Sequence, residues 1–280
     1  MDGAMPPLRL RPLGLGAGRH ALQGGRNAAP AYALSAMRQE RLAPDPMDRR
    51  RVTLRCDGLI FDFDGVLLES EYAGNAQIAD YLTRCGHPIS TEETMARFMG
   101  LARGGLTDAI EHWMERPLPP DFDAAREEED ARVLEEGLPA VAGAIAFVEA
   151  LPPKLPRAVA SSSSSRWIAA HLDHLGLRAH FGDMVFSGAE HVERGKPAPD
   201  LYLHAARAMG VPIERVVVIE DSPVGVEGAL ASGAEVIGLC AGSHCLAGHD
   251  ERLRALGVRH IASGFEEVAA MLGFTAGGRS

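Results

Sequence analysis

The chain has 280 residues, 46% of them hydrophobic and 24% charged, with a formal net charge of −10. That length suits one large domain, or a core domain with a smaller companion. The acidic excess argues against a nucleic-acid or anionic-membrane surface, because both need a positive field, but a metal or a few local cations could still admit a small anionic substrate.

Residues 1–50 are rich in Gly, Pro, Ala and Arg, and no acidic residue occurs from Gly3 to Gln39. The segment has one serine, Ser35, a helix-breaking Gly24-Gly25 pair and no continuous apolar core. It is expected to be a disordered extension, or the product of a start placed too early, with Met47 as the more natural beginning. The expected location is then the cytoplasm; a transit peptide, and hence an organelle, is the alternative. No stretch reaches the ~18–20 apolar residues of a membrane span. Four cysteines, Cys56, Cys85, Cys240 and Cys245, fit no disulfide framework. Cys240, His244, Cys245 and His249 lie close together, but their spacing matches no usual zinc pattern and they are expected to be thiols and loop histidines.

Short apolar runs at 59–63, 157–160, 184–187, 216–220, 235–239 and 260–263 read as buried strands. Between the first two lie roughly a hundred residues of helical character, far more than one crossover needs. Helices are expected at 71–85, 91–99, 106–116, 121–136 and 140–151, the first with Tyr72, Ala76, Ala79 and Leu82 on one face. Later helices are expected at 166–175 (Trp167, Ala170, His171 and His174 on one face), 201–209 and 223–232, the last closed by Gly233. Strands alternating with helices imply βαβ units and an α/β, Rossmann-like parallel sheet with helices on both faces. Residues 51–69 and 138–275 are assigned to this core, and 70–137 to an inserted all-helical cap.

The chemistry sits at the strand ends. Asp62-Phe63-Asp64-Gly65-Val66 follows the first strand, and two carboxylates two apart on extended chain point the same way. Glu220-Asp221 ends the later strand 216–220. Acids crowded at two strand ends of one sheet repel and are costly to bury, so the arrangement asks for a cation; oxygen donors suit Mg²⁺. Either pair by itself reads equally well as a turn or a helix cap. Ser161, with Ser162 after it, opens a serine run at the end of the second strand and could hold phosphate oxygens. Lys196, in Gly195-Lys196-Pro197, can reach back as a point charge, although a lone lysine is nearly always a surface residue.

The ordered set Asp62-Phe63-Asp64-Gly65-Val66, Ser161, Gly195-Lys196-Pro197 and Glu220-Asp221-Ser222 resembles the haloacid dehalogenase-like hydrolase superfamily. Over about 57–272 the chain is most similar to the phosphoglycolate phosphatase and β-phosphoglucomutase branch. The resemblance implies a Mg²⁺-dependent phosphatase of a small phosphorylated metabolite. In it Asp62 is the nucleophile that becomes an aspartyl-phosphate, and Asp64 is the general acid and then base. It further implies Mg²⁺ on Asp62, the Asp64 carbonyl and Asp221, with Glu220 direct or through water, and a phosphoryl group held by Ser161 and Lys196.

Asp64 and the Glu220-Asp221 pair separate this chain from the namesake dehalogenases, which lack the second Asp and need no metal; phosphonatases also lack the general-acid Asp. β-Phosphoglucomutase carries a hinge histidine ten residues after its second Asp, where this chain has Gly74. Gly100-Leu101-Ala102-Arg103 could supply the mutase's cap arginine as Arg103, a residue equally compatible with a phosphatase that binds an anionic or sugar substrate. The usual Asp-Ser-Glu after the first motif appears as Glu69-Ser70-Glu71. The alternatives are a phosphosugar mutase and a non-catalytic binding module. Oligomeric state is not legible.

Overall fold

The computed structural model describes residues 53–99 and 103–274. The extension expected over 1–50 lies outside the described residues, as does the side chain of Arg103. Strand β1 (Gly58–Phe61) is followed by helices α1 (Ser70–Arg84), α2 (Thr91–Phe98), α3 (Arg103–Met114), α4 (Phe122–Glu136) and α5 (Ala144–Ala150). Then come β2 (Arg157–Ser161), α6 (Ser165–His174), α7 (Arg178–Phe181), β3 (Val185–Ser187), α8 (Asp200–Met209) and β4 (Val216–Glu220). The chain ends with α9 (Pro223–Ser232), β5 (Glu235–Leu239), α10 (His249–Ala255), β6 (His260–Ala262) and α11 (Phe265–Leu272).

The strands form one parallel sheet in the order β3-β2-β1-β4-β5-β6. β1, β2 and β4 are buried along their whole length, which is why they read as unbroken apolar runs. Alternate residues feed two cores. Leu59 and Phe61 pack with Phe147, Ile168, Phe181 and Phe265 on one face; Ile60 packs with Leu201, Tyr202, Val226 and Leu253 on the other. Helices therefore cover both faces, as the α/β reading expects.

α5 is shorter than the expected 140–151. Gly143, with φ +82°, stops the helix, and Ala140 instead bridges Leu68 in an antiparallel contact. Glu69 N donates to Pro139 O (3.0 Å) and Val141 N to Leu67 O (3.1 Å), so the chain leaves the core and returns to it side by side. Between these points, α1 to α4 gather their own apolar cluster, including Ile78, Leu82, Phe98, Ile110 and Phe122.

Two helix faces differ from expectation. α1 buries Asn75, Ile78, Ala79 and Leu82, while Tyr72 is exposed; Ala73, Gly74 and Ala76 line a cavity instead. α6 buries Ile168, His171 and Leu172, and Trp167 turns toward Asp64. Helices α7, α10 and α11 were not anticipated; α7 is a single turn, and α10 anchors to the core mainly through Leu253.

Candidate active site

β1 pairs with β2 on one side and β4 on the other, so the crossovers leaving β1 and β4 diverge and open a crevice at their carboxyl ends. Asp62 stands there, tied to β4 by its N–H, which donates to Ile219 O (2.9 Å). Glu220 closes β4 and Asp221 follows it. All three acids are buried, and their carboxylate oxygens lie within 4.8 Å of one another. Lys196, just ahead of α8, reaches in from a second direction. Its Nζ is 2.6 Å from Asp62 Oδ1 and 2.6 Å from Glu220 Oε1.

One ammonium among three buried carboxylates leaves two negative charges uncompensated. Burial, and then the Glu220 charge, push the Asp62 carboxyl well above its ordinary value, although Lys196 opposes this. Burial, Glu220 and Glu71 do the same to Asp221. Burial would also raise Glu220, but Lys196 and the hydrogen bonds to Glu220 outweigh it and hold that carboxyl low. Burial would lower Lys196; Asp62 and Glu220 outweigh it and keep the ammonium charged.

Glu220 is the most tightly held of the set. Oε1 accepts from Lys196 and from Tyr202 Oη (2.8 Å), and Oε2 accepts from Asp221 N (2.9 Å), Ser222 N (3.0 Å) and Ser222 Oγ (3.1 Å). A Cβ at Gly225 would fall 1.7 Å from Glu220 Oε1, so the first turn of α9 must lack a side chain there.

Asp64 faces the serine run. Oδ1 accepts from Ser70 Oγ (2.7 Å) and Trp167 Nε1 (3.1 Å); Oδ2 accepts from Ser161 Oγ (3.0 Å) and Ser163 Oγ (2.6 Å). Ser161 Oγ also accepts from Ser163 N (3.0 Å). The Ser161 hydroxyl, expected on phosphate, thus donates to Asp64, and a phosphoryl oxygen must compete for it. Ser162 is exposed and lines the cavity. The cavity, about 1320 Å³, runs from Asp62, Asp64 and Lys196 to Arg84, Arg126 and Arg132 of the inserted helices.

The donor set fits a hard divalent cation. Asp221 Oδ1 is buried with no hydrogen-bond partner, the acids offer only oxygen, and two charges need balancing. Asp62 and Asp221 have capacity for a cation, whereas Glu220's oxygens already take five protein donors.

Asp62, Asp64, Ser161, Lys196, Glu220 and Asp221, expected from sequence, come together at one crevice. Sequence reading missed Ser70, Ser163 and Trp167 on Asp64, Tyr202 on Glu220, and His244 and His249 on Asp221. The position of Ser70 within Glu69-Ser70-Glu71 was the one local signal. The four cysteines are free thiols, and Cys245 Sγ lies 3.4 Å from His244 Nε2. No described helix is long and apolar enough to cross a membrane.

A family model described as haloacid dehalogenase-like hydrolase matches residues 56–233. Hexitol phosphatase A of Escherichia coli (strain K12) is 35% identical over 67% of this chain and 85% of its own length. A phosphorylated carbohydrates phosphatase of Thermotoga maritima is 36% identical over 65% of this chain and 83% of its own. A solved hydrolase of Deinococcus radiodurans R1, with bound phosphate and sodium, superposes with a TM-score of 0.71 at 31% identity, over 78% of this chain and 96% of that one.

Proposed function

The chain belongs to the haloacid dehalogenase-like hydrolases, and from that membership we propose a Mg²⁺-dependent phosphatase that hydrolyses a small phosphorylated metabolite, a sugar phosphate foremost, through an aspartyl-phosphate on Asp62. The observation that carries the reading is the excess of two negative charges around Asp62, where Lys196 is the one ammonium, among the described residues, paired with these three acids.

Asp62 and Asp221, with the Asp64 carbonyl, would hold the cation. When bound, it supplies charge that lets an anionic phosphoryl group approach an anionic nucleophile. Lys196 keeps Asp62 oriented and offsets charge as the carboxylate attacks phosphorus. Asp64 donates a proton to the leaving oxygen and later takes one from water. Its carboxyl is held by four donors, so this role requires a reacting oxygen to replace one of them. Ser161, Ser162 and neighbouring backbone N–H groups donate hydrogen bonds to the phosphoryl oxygens. Residues 70–137 serve as the cap that delivers substrate, with Arg103 contributing to its recognition.

A mutase reading gains no support at the hinge. Gly74 lines the cavity where the mutase carries its hinge histidine, and as a glycine it brings no imidazole there. The test is Mg²⁺-dependent phosphate release from p-nitrophenyl phosphate and a panel of phosphate esters. Asp62→Asn should lower kcat by about three orders of magnitude. Equal inactivity of wild type and variant across the panel would overturn the proposal.

A further inference from the structure

The histidines of the 240–249 segment have no part in the chemistry above, yet both are buried against Asp221. His244 Nε2 lies 2.7 Å from Asp221 Oδ2. His249 Nε2 lies 2.6 Å from the Asp221 carbonyl oxygen. A carbonyl only accepts, so His249 Nε2 carries hydrogen; Nδ1 then accepts from Arg252 Nη2 at 3.1 Å, which fixes the ring from its other side. With Asp221 N donating to Glu220 Oε2, the residue is held at amide, carbonyl and one carboxylate oxygen. Its other oxygen, Oδ1, is the buried atom without a partner.

We infer that His244 and His249 are positioning residues for the cation site: they lock Asp221 so that Oδ2 is occupied and Oδ1 is left for the metal. This rests on the cation reading of the preceding subsection. An isolated aspartate at a strand end can rotate its carboxylate, and ordering it on binding costs affinity; an outer-shell imidazole removes that freedom beforehand. The backbone makes room for the arrangement. Gly65 turns with φ +82°, and a Cβ there would come 2.2 Å from Asp221 Oδ2 and 2.8 Å from His244 Cε1. The glycine after Asp64 therefore lets the His244–Asp221 pair sit beneath the first strand end.

A second, thiophilic metal centre is the competing role for the same side chains. The donor atoms of His244, Cys245 and His249 lie within 4.8 Å of one another, with Cys245 Sγ 3.4 Å from His244 Nε2. Both Nε2 atoms, however, are already engaged by Asp221, and His249 Nδ1 accepts from Arg252; only His244 Nδ1, buried without a partner, could take a metal without breaking one of these bonds. The hydrogen-bond pattern favours positioning.

Mn²⁺ binding, followed by electron paramagnetic resonance on the purified full-length protein, separates the cases without an activity readout. His244→Ala should weaken Mn²⁺ binding by about 10–100-fold, and His244→Gln, which keeps an N–H donor of similar reach, should recover most of that loss. Turnover of p-nitrophenyl phosphate by His244→Ala should return toward wild type at saturating Mg²⁺. Should His244→Ala not fold, His244→Asn, whose shorter amide falls away from Oδ2, is expected to show the same weakening. A folded His244→Ala or His244→Asn that binds Mn²⁺ within about twofold of wild type overturns the inference. So does a Co²⁺ thiolate charge-transfer band that Cys245→Ser abolishes, because it would make the imidazoles ligands of a second metal. Wild type that binds no Mn²⁺ removes the cation reading itself, an outcome distinct from variants that match a binding wild type.

Discussion

Lys196 is the residue on which the buried charges depend, with its ammonium between Asp62 and Glu220. Lys196→Met would keep the stem's bulk and strand two carboxylates without a cation. Breaking a buried pair in this way costs about 3–5 kcal/mol, so the urea midpoint should fall accordingly at neutral pH and the loss should shrink in acid, where the carboxyls protonate. Gly225 is a second point of dependence. Gly225→Ala puts a methyl where Glu220 Oε1 stands, and the five donors on Glu220 leave it nowhere to move. The expected result is a loss of at least about 2 kcal/mol in urea unfolding, together with lost phosphatase activity. Lys196 stood in a motif legible from sequence. Tyr202 and Trp167 did not: each lay in a helical pattern where an aromatic side chain reads as core, and only the tertiary fold aims a hydroxyl at Glu220 and an indole N–H at Asp64.

The inserted helices are an element with a core of their own. Ile110 is fully buried in their apolar cluster, among residues such as Phe98 and Phe122. Ile110→Ala should cost about 2–4 kcal/mol, and amide hydrogen exchange should rise in α1 to α3 while β1 and β4 keep their protection. Uniform loss of protection across sheet and insertion would show that the two unfold as one. The five helices expected between the first strands all formed, the fifth shortened at Gly143, because their periodicity was a local property. The buried face of α1 was misjudged, since Tyr72 and Ala76 fit an apolar stripe equally well until the cavity claims the flank that bears Gly74.

At the scale of the whole molecule, the net charge of −10 has a local counterpart in the clustered acids of the crevice. Asp62 and Asp221 have folded-state values raised above the ordinary aspartate value of about 3.9. Between the two values the native protein binds protons that the unfolded chain does not, so these groups lower stability as pH rises through that window. A cation must displace the same protons. Stabilisation by Mg²⁺ should therefore be small near the ordinary aspartate value and grow as pH rises past the raised ones. Thermal midpoints in Mg²⁺ and in EDTA over a pH series check this; a pH-independent difference would contradict it.

The sequence by itself determined the α/β class, the positions of the six strands and the acids at their ends, because buried parallel strands must be continuous apolar runs and their polar residues can only follow them. The order of the strands, and with it the meeting of Asp62, Lys196 and Asp221, needed the sheet. Only the tertiary structure decided that Ser161 donates to Asp64, that Glu220 is saturated by protein donors, and that His244 and His249 hold Asp221. Those are contacts between elements distant along the chain. Hydrogen-bond partners chosen at such separation leave no local periodicity or propensity from which to read them.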